Sequence, residues 1–85
     1  MVATNVKVML NSGLHARPAS NFIKIASKYT CDISLEKEGK KANAKSIMGV
    51  MSLAITKGTE ITVSAEGDDA EKALAELTEF LSREH

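Results

Sequence analysis

Cysteine is nearly missing from this chain. Cys31 stands alone, so no internal disulfide can form, and with two histidines a conventional Cys/His metal cluster cannot be assembled. Neither a metal nor another cofactor is expected. An excess of either charge is missing as well: eleven basic residues offset eleven acidic ones, leaving no positive field to gather nucleic acid or an anionic membrane surface. Tryptophan is absent, and Phe22, Tyr29 and Phe80 are the only aromatic residues. All three fall in segments read below as helical, which withholds the stacking strand aromatics that an RNA-binding α/β platform needs. No long apolar run occurs either. The opening MVATNVKV alternates apolar and polar residues, unlike a signal peptide or a membrane span, so a cytoplasmic protein without membrane insertion is expected.

What is present suffices for one compact domain over residues 1–85 with a modest core and no staples. Residues 2–9 alternate, with Val2, Thr4, Val6 and Val8 on one face, the period of a half-buried strand. After Asn11-Ser12-Gly13, Pro18 suits a first helical turn, where its missing N–H costs nothing. Ala19, Phe22, Ile23 and Ala26 then recur at helical spacing, widened by Ile25 and Tyr29, and predict a helix ending near Lys28. Cys31, Ile33 and Leu35 alternate with Asp32, Ser34 and Glu36 in a second strand, which Glu38-Gly39 closes into a hairpin with residues 40–43. Ser46 is a suitable N-cap for a short apolar helix over 47–53. A fourth strand over 59–66 carries Ile61, Val63 and Ala65 on one face. The acids Asp68, Asp69 and Glu71 open a last helix, where negative charge suits the dipole, and Ala70, Ala73, Leu74, Leu77, Phe80 and Leu81 form its core stripe. The order β-α-β-β-α-β-α predicts an α+β fold: a four-stranded antiparallel sheet with three helices on one face.

The segment Gly13-Leu14-His15-Ala16-Arg17-Pro18-Ala19 sets an imidazole just before a helix entrance, with an arginine two residues on. Unpaired N–H groups at a helix N-terminus and the helix dipole receive anions, and neutral imidazole is a competent phosphoryl acceptor. The dipole favours the neutral nucleophile, while Arg17 offers planar donors to phosphate oxygens. A loop histidine by itself is more often solvated or structural, and Arg17 by itself is a helix-end charge.

Gly13-Leu14-His15-Ala16-Arg17-Pro18-Ala19 resembles the active-site signature of the HPr family of phosphocarriers, and the likeness runs over essentially the whole chain. The resemblance implies an open-faced sandwich and a carrier without independent turnover. It implies that His15 takes a phosphoryl group through Nδ1 from enzyme I, ultimately from phosphoenolpyruvate, and passes it to sugar-specific enzyme IIA domains. Arg17 would stabilise the phosphate, with Ala16 and Pro18 at the receiving helix end. Arg17, Ser20, Ile47, Met48 and Met51 would contact partners.

A second stretch, Lys45-Ser46-Ile47-Met48-Gly49-Val50-Met51-Ser52-Leu53, resembles the regulatory site of HPr proteins from Gram-positive bacteria. It implies phosphorylation of Ser46 by an ATP-dependent HPr kinase/phosphorylase and corepressor binding to catabolite control protein A. Ser46 also has a purely structural reading as an N-cap, and the two are compatible. The short helix is apolar on two sides. We assign Val50, Leu53 and Ala54 to the core and Ile47, Met48 and Met51 to docking, because a helix buried all round is hard to arrange in so small a domain.

The stretch from Leu35 through Ser46, together with Ala54, also resembles Crh, the regulatory branch of the same family. Crh carries glutamine where this chain has His15, so the histidine favours a transfer-competent carrier over a corepressor phosphorylated only at Ser46. Ala54 stands where HPr proteins more usually have glycine. Cys31 reads as a buried inert thiol, and His85 is assigned no chemistry. Lys37, Lys40, Lys41 and Lys45 form a cluster that is either a solvated face or a receiving surface for acidic partners. Nothing demands more than a monomer.

Overall fold

The computed structural model of the protein describes residues 2–10, 13 and 17–83. Its elements are β1 (Val2–Lys7), α1 (Arg17–Ser27), β2 (Asp32–Lys37), β3 (Lys40–Asn43), α2 (Ile47–Ser52), β4 (Glu60–Glu66) and α3 (Ala70–Ser82). This is the expected β-α-β-β-α-β-α order. The four strands form one antiparallel sheet in the order β1-β4-β2-β3.

Alternation decides which sheet face is covered. Ile33 and Leu35 pair with Ala65 and Val63 across β2 and β4, and with Ile61 they are buried. Phe22 of α1, Leu77 and Leu81 of α3 and Val50 of α2 close over that face. Phe22 and Phe80 meet with ring centroids 6.3 Å apart in a tilted arrangement, linking the two long helices. The intervening residues lie on the opposite face, where Thr62 Oγ1 donates to Asn5 Oδ1 at 2.7 Å across the β1–β4 pair.

Several boundaries differ from the sequence reading. The first strand stops at Lys7, because Met9 N–H turns to the carbonyl of Leu81 at the end of α3. Thr4 is exposed even though it shares the inward side, since β1 is an edge strand. Tyr29 lies in the turn after α1 and not within it. Its hydroxyl donates to Glu76 of α3, which also accepts from Lys28 Nζ at 2.9 Å. Those bonds hold the Glu76 carboxyl below its ordinary value, the Tyr29 bond foremost, and the same bond pushes the Tyr29 hydroxyl up.

Asp69 does not serve the end of α3 as its position suggests. It makes no side-chain cap bond there, and its carboxylate instead accepts from Thr30 N at 3.0 Å and Cys31 N at 3.1 Å. The Thr30 N–H is the main cause of its lowered pKa. The turn between α1 and β2 is thereby tied to the start of α3. Cys31 is buried as expected, and burial pushes its thiol up, away from the reactive thiolate.

Two non-glycine residues adopt left-handed backbone. Glu38, at φ 51°, joins Gly39, at φ 83°, in the two-residue β2–β3 turn, where both central positions need positive φ. Ala54 has φ 52° and is exposed, so it belongs to the turn leaving α2 and not to the core face assigned to it. Left-handed alanine carries about 1 kcal/mol of strain, while glycine there would loosen the unfolded chain by roughly half as much. Ala54→Gly is therefore expected to raise the stability measured by urea unfolding by about 0.5 kcal/mol.

Candidate functional site

The described residues on either side of the candidate phosphoryl acceptor are both anchored in the fold. On its upstream side Gly13 is buried at φ 71° and donates its N–H to Leu10 O at 2.9 Å. A Cβ there would lie 2.5 Å from Ile55 O and 2.8 Å from Thr56 Cα, so only glycine lets the chain press against the backbone that leaves α2. On the downstream side Ala19 is fully buried in the core and anchors the first turn of α1. His15 and Ala16, the acceptor and its neighbour in the sequence reading, lie outside the described residues.

α1 begins at Arg17, with Pro18 in its first turn as expected. Arg17 and Ser20 are exposed and Pro18 is half-buried. No acidic residue occupies that turn, so its N–H groups, its dipole and the Arg17 charge have no local carboxylate to neutralise them.

The second candidate group lies on α2, which packs against α1. Ser46 has extended backbone, and its Oγ accepts from Gly49 N at 3.2 Å, an N-cap, while its carbonyl accepts from Val50 N at 2.9 Å. Val50 and Leu53 are buried. Ile47, Met48 and Met51 are 41 %, 81 % and 43 % exposed and are the exposed large hydrophobic residues among those described. The division of the helix into a core face and a free apolar face thus follows the sequence reading, apart from Ala54.

The lysine cluster is divided. Lys37 Nζ donates to Leu53 O and Ala54 O, both at 3.0 Å, holding the C-cap and turn that follow α2, and Lys45 Nζ donates to Tyr29 O at 2.7 Å. Only Lys40 and Lys41 remain as fully exposed members. Sequence reasoning missed the clamp by Lys37 and the close approach of Gly13, because each rests on a partner distant in the chain. The glycine itself was the one local signal.

An open-faced sheet under three helices, with a helix entrance free of acidic residues and an apolar helix beside it, defines a small protein suited to carrying an anionic group between partners. A sequence family described as the PTS HPr component phosphorylation site matches residues 2–83, and the chain belongs to that family. Its members are phosphocarrier proteins and not catalysts of small-molecule turnover. The chain is 51 % identical over 84 residues to the HPr-like protein Crh of Bacillus subtilis, covering 99 % of each. The crystal structure of the phosphocarrier protein HPr from Bacillus anthracis superposes with a TM-score of 0.93 at 51 % identity, over 94 % of this chain and 95 % of that one. A crystal structure of Bacillus subtilis Crh, a domain-swapped dimer, gives a TM-score of 0.80 at 50 % identity, over 100 % and 98 %. Among the described residues no helix is long and apolar enough to cross a membrane.

Proposed function

We propose that the chain is a phosphoryl relay of the sugar phosphotransferase system. The Nδ1 lone pair of His15 attacks the phosphorus presented by phosphorylated enzyme I, the donor's bond to phosphorus breaks, and the group later leaves His15 for an enzyme IIA domain. The observation that carries this reading is the start of α1: exposed Arg17 and no acidic residue in the first turn, two residues after His15 in the sequence. Arg17 screens the arriving charge and the helix end holds the phosphate oxygens, while Ala16 and Pro18 shape that end. Ser20, Ile47, Met48 and Met51 supply the contact surface around it. Ser46 is the brake, modified by HPr kinase/phosphorylase, and the phosphoserine form binds catabolite control protein A. The relay works as a cytoplasmic monomer, in contrast to the swapped dimer of Bacillus subtilis Crh. Light scattering at working concentration checks that state.

Incubation with phosphoenolpyruvate and enzyme I tests the relay. Intact mass should show one phosphoryl adduct that is lost in acid and is absent from His15→Ala. The strong identity to a Crh protein favours a second reading, a corepressor phosphorylated only at Ser46. That reading predicts no acid-labile adduct, but an acid-stable one with ATP and the kinase that disappears in Ser46→Ala.

A further inference from the structure

The free face of α2 consists largely of thioether. Met48 is 81 % exposed, and Met51, one turn on, is 43 % exposed. Met9, the other methionine described, is only partly accessible, and its segment is pinned by the bond from its N–H to Leu81 O. Thioether oxidation needs an oxidant to reach sulfur, so exposure ranks Met48 first and Met9 last. The product replaces a flexible apolar group with a polar one that accepts hydrogen bonds, at the place where the chain offers its exposed apolar surface.

We propose that Met48 is a peroxide-responsive modification site whose oxidation to the sulfoxide closes the docking face of α2. The inference rests on the relay reading given above. A sulfur lone pair attacks one peroxide oxygen, the O–O bond breaks and an S–O bond forms. Sulfur loses two electrons, and hydrogen peroxide leaves as one molecule of water. The fold tolerates the change, because Met48 faces away from the core. The helix is held by other groups: the Ser46 cap, buried Val50 and Leu53, and the Lys37 clamp on the turn that follows it. Docking does not tolerate it, because a sulfoxide covered by a partner without a hydrogen-bond donor loses its hydration. Cys31 does not compete for the oxidant, being buried with its thiol pushed toward the protonated form.

The test treats the purified chain with hydrogen peroxide, removes the excess with catalase, maps sulfoxides by peptide mass and then measures phosphoryl transfer from enzyme I. Met48 should oxidise first. Transfer should fall by about tenfold at full Met48 oxidation, the scale of one unpaired polar group under an interface. Methionine sulfoxide reductase should restore it. In Met48→Leu, treated at a peroxide dose at which peptide mass shows Met51 still reduced, the treated and untreated rates should agree, whatever the untreated value. Oxidation of Met9 as fast as Met48, or an unchanged rate in the fully oxidised chain, overturns the inference and leaves the relay standing. Failure of the reduced, unmodified chain to accept phosphoryl from enzyme I overturns the relay and the inference with it.

Discussion

Gly13→Ala is expected to lower stability by about 3 kcal/mol, a large share of the roughly 5–15 kcal/mol that holds a domain of this kind together. Two effects combine. Left-handed backbone at φ 71° costs alanine about 1 kcal/mol, and a methyl 2.5 Å from Ile55 O and 2.8 Å from Thr56 Cα forces backbone apart for about 2 kcal/mol more. Neither contact is with a side chain that can swing away. Gly39→Ala separates the two contributions, since Gly39 also has positive φ, 83°, but nothing within 4 Å of its added Cβ. Its loss should be about 1 kcal/mol in urea unfolding. Equal losses at the two positions would show that the approach of Gly13 to the Ile55–Thr56 backbone is not a constraint. The functional consequence reaches past stability. A displaced residue 13 moves the chain that leads to His15, and a misplacement of about 1 Å in a reacting group can slow transfer by about 100-fold. Phosphoryl transfer measured well below the melting temperature should therefore fall in Gly13→Ala and not in Gly39→Ala.

What was legible in the sequence is what repeats locally. Ile33 and Leu35, the alternating Ile61, Val63 and Ala65, and the stripe from Ala70 to Leu81 announce their elements by period alone, and all are buried as that period requires except Leu74 and Phe80, which are partly buried at the edge of the core. The Ser46 cap was equally plain, because a cap bonds only three residues ahead. Residues whose partners are far along the chain were misjudged. Asp69 looked like a dipole charge and instead holds the Thr30 and Cys31 amides, and Lys37 looked solvated and instead clamps the turn after α2. Which strand lies beside which is also nonlocal. The order β1-β4-β2-β3 places the first strand next to the last, and no periodicity within either encodes that. Ala54 was placed by helical spacing continued one residue too far, past the point where the chain turns left-handed. At the candidate site the expected chemistry rests on residue types, whereas the close approach of Gly13 to Ile55 and Thr56 came from tertiary contact.

Ser46 joins a structural duty to a proposed regulatory one, and two substitutions should pull them apart. Ser46→Ala removes the acceptor of the Gly49 N–H and should cost about 1 kcal/mol in unfolding, with transfer from enzyme I kept within about twofold. Ser46→Asp keeps a good N-cap oxygen at the positive end of the helix, so its stability should match that of the parent. It also sets a negative charge directly before Ile47 and Met48, which are exposed. Covering that patch then desolvates a charge and brings it against an acidic partner, so transfer should drop by about tenfold, and the drop should shrink at high salt. The opposite pattern would count against the brake: if alanine and aspartate slow transfer equally, the serine acts through the helix it caps. A phosphate, with a larger charge than aspartate, should slow transfer further still while leaving the melting temperature close to that of the unmodified chain.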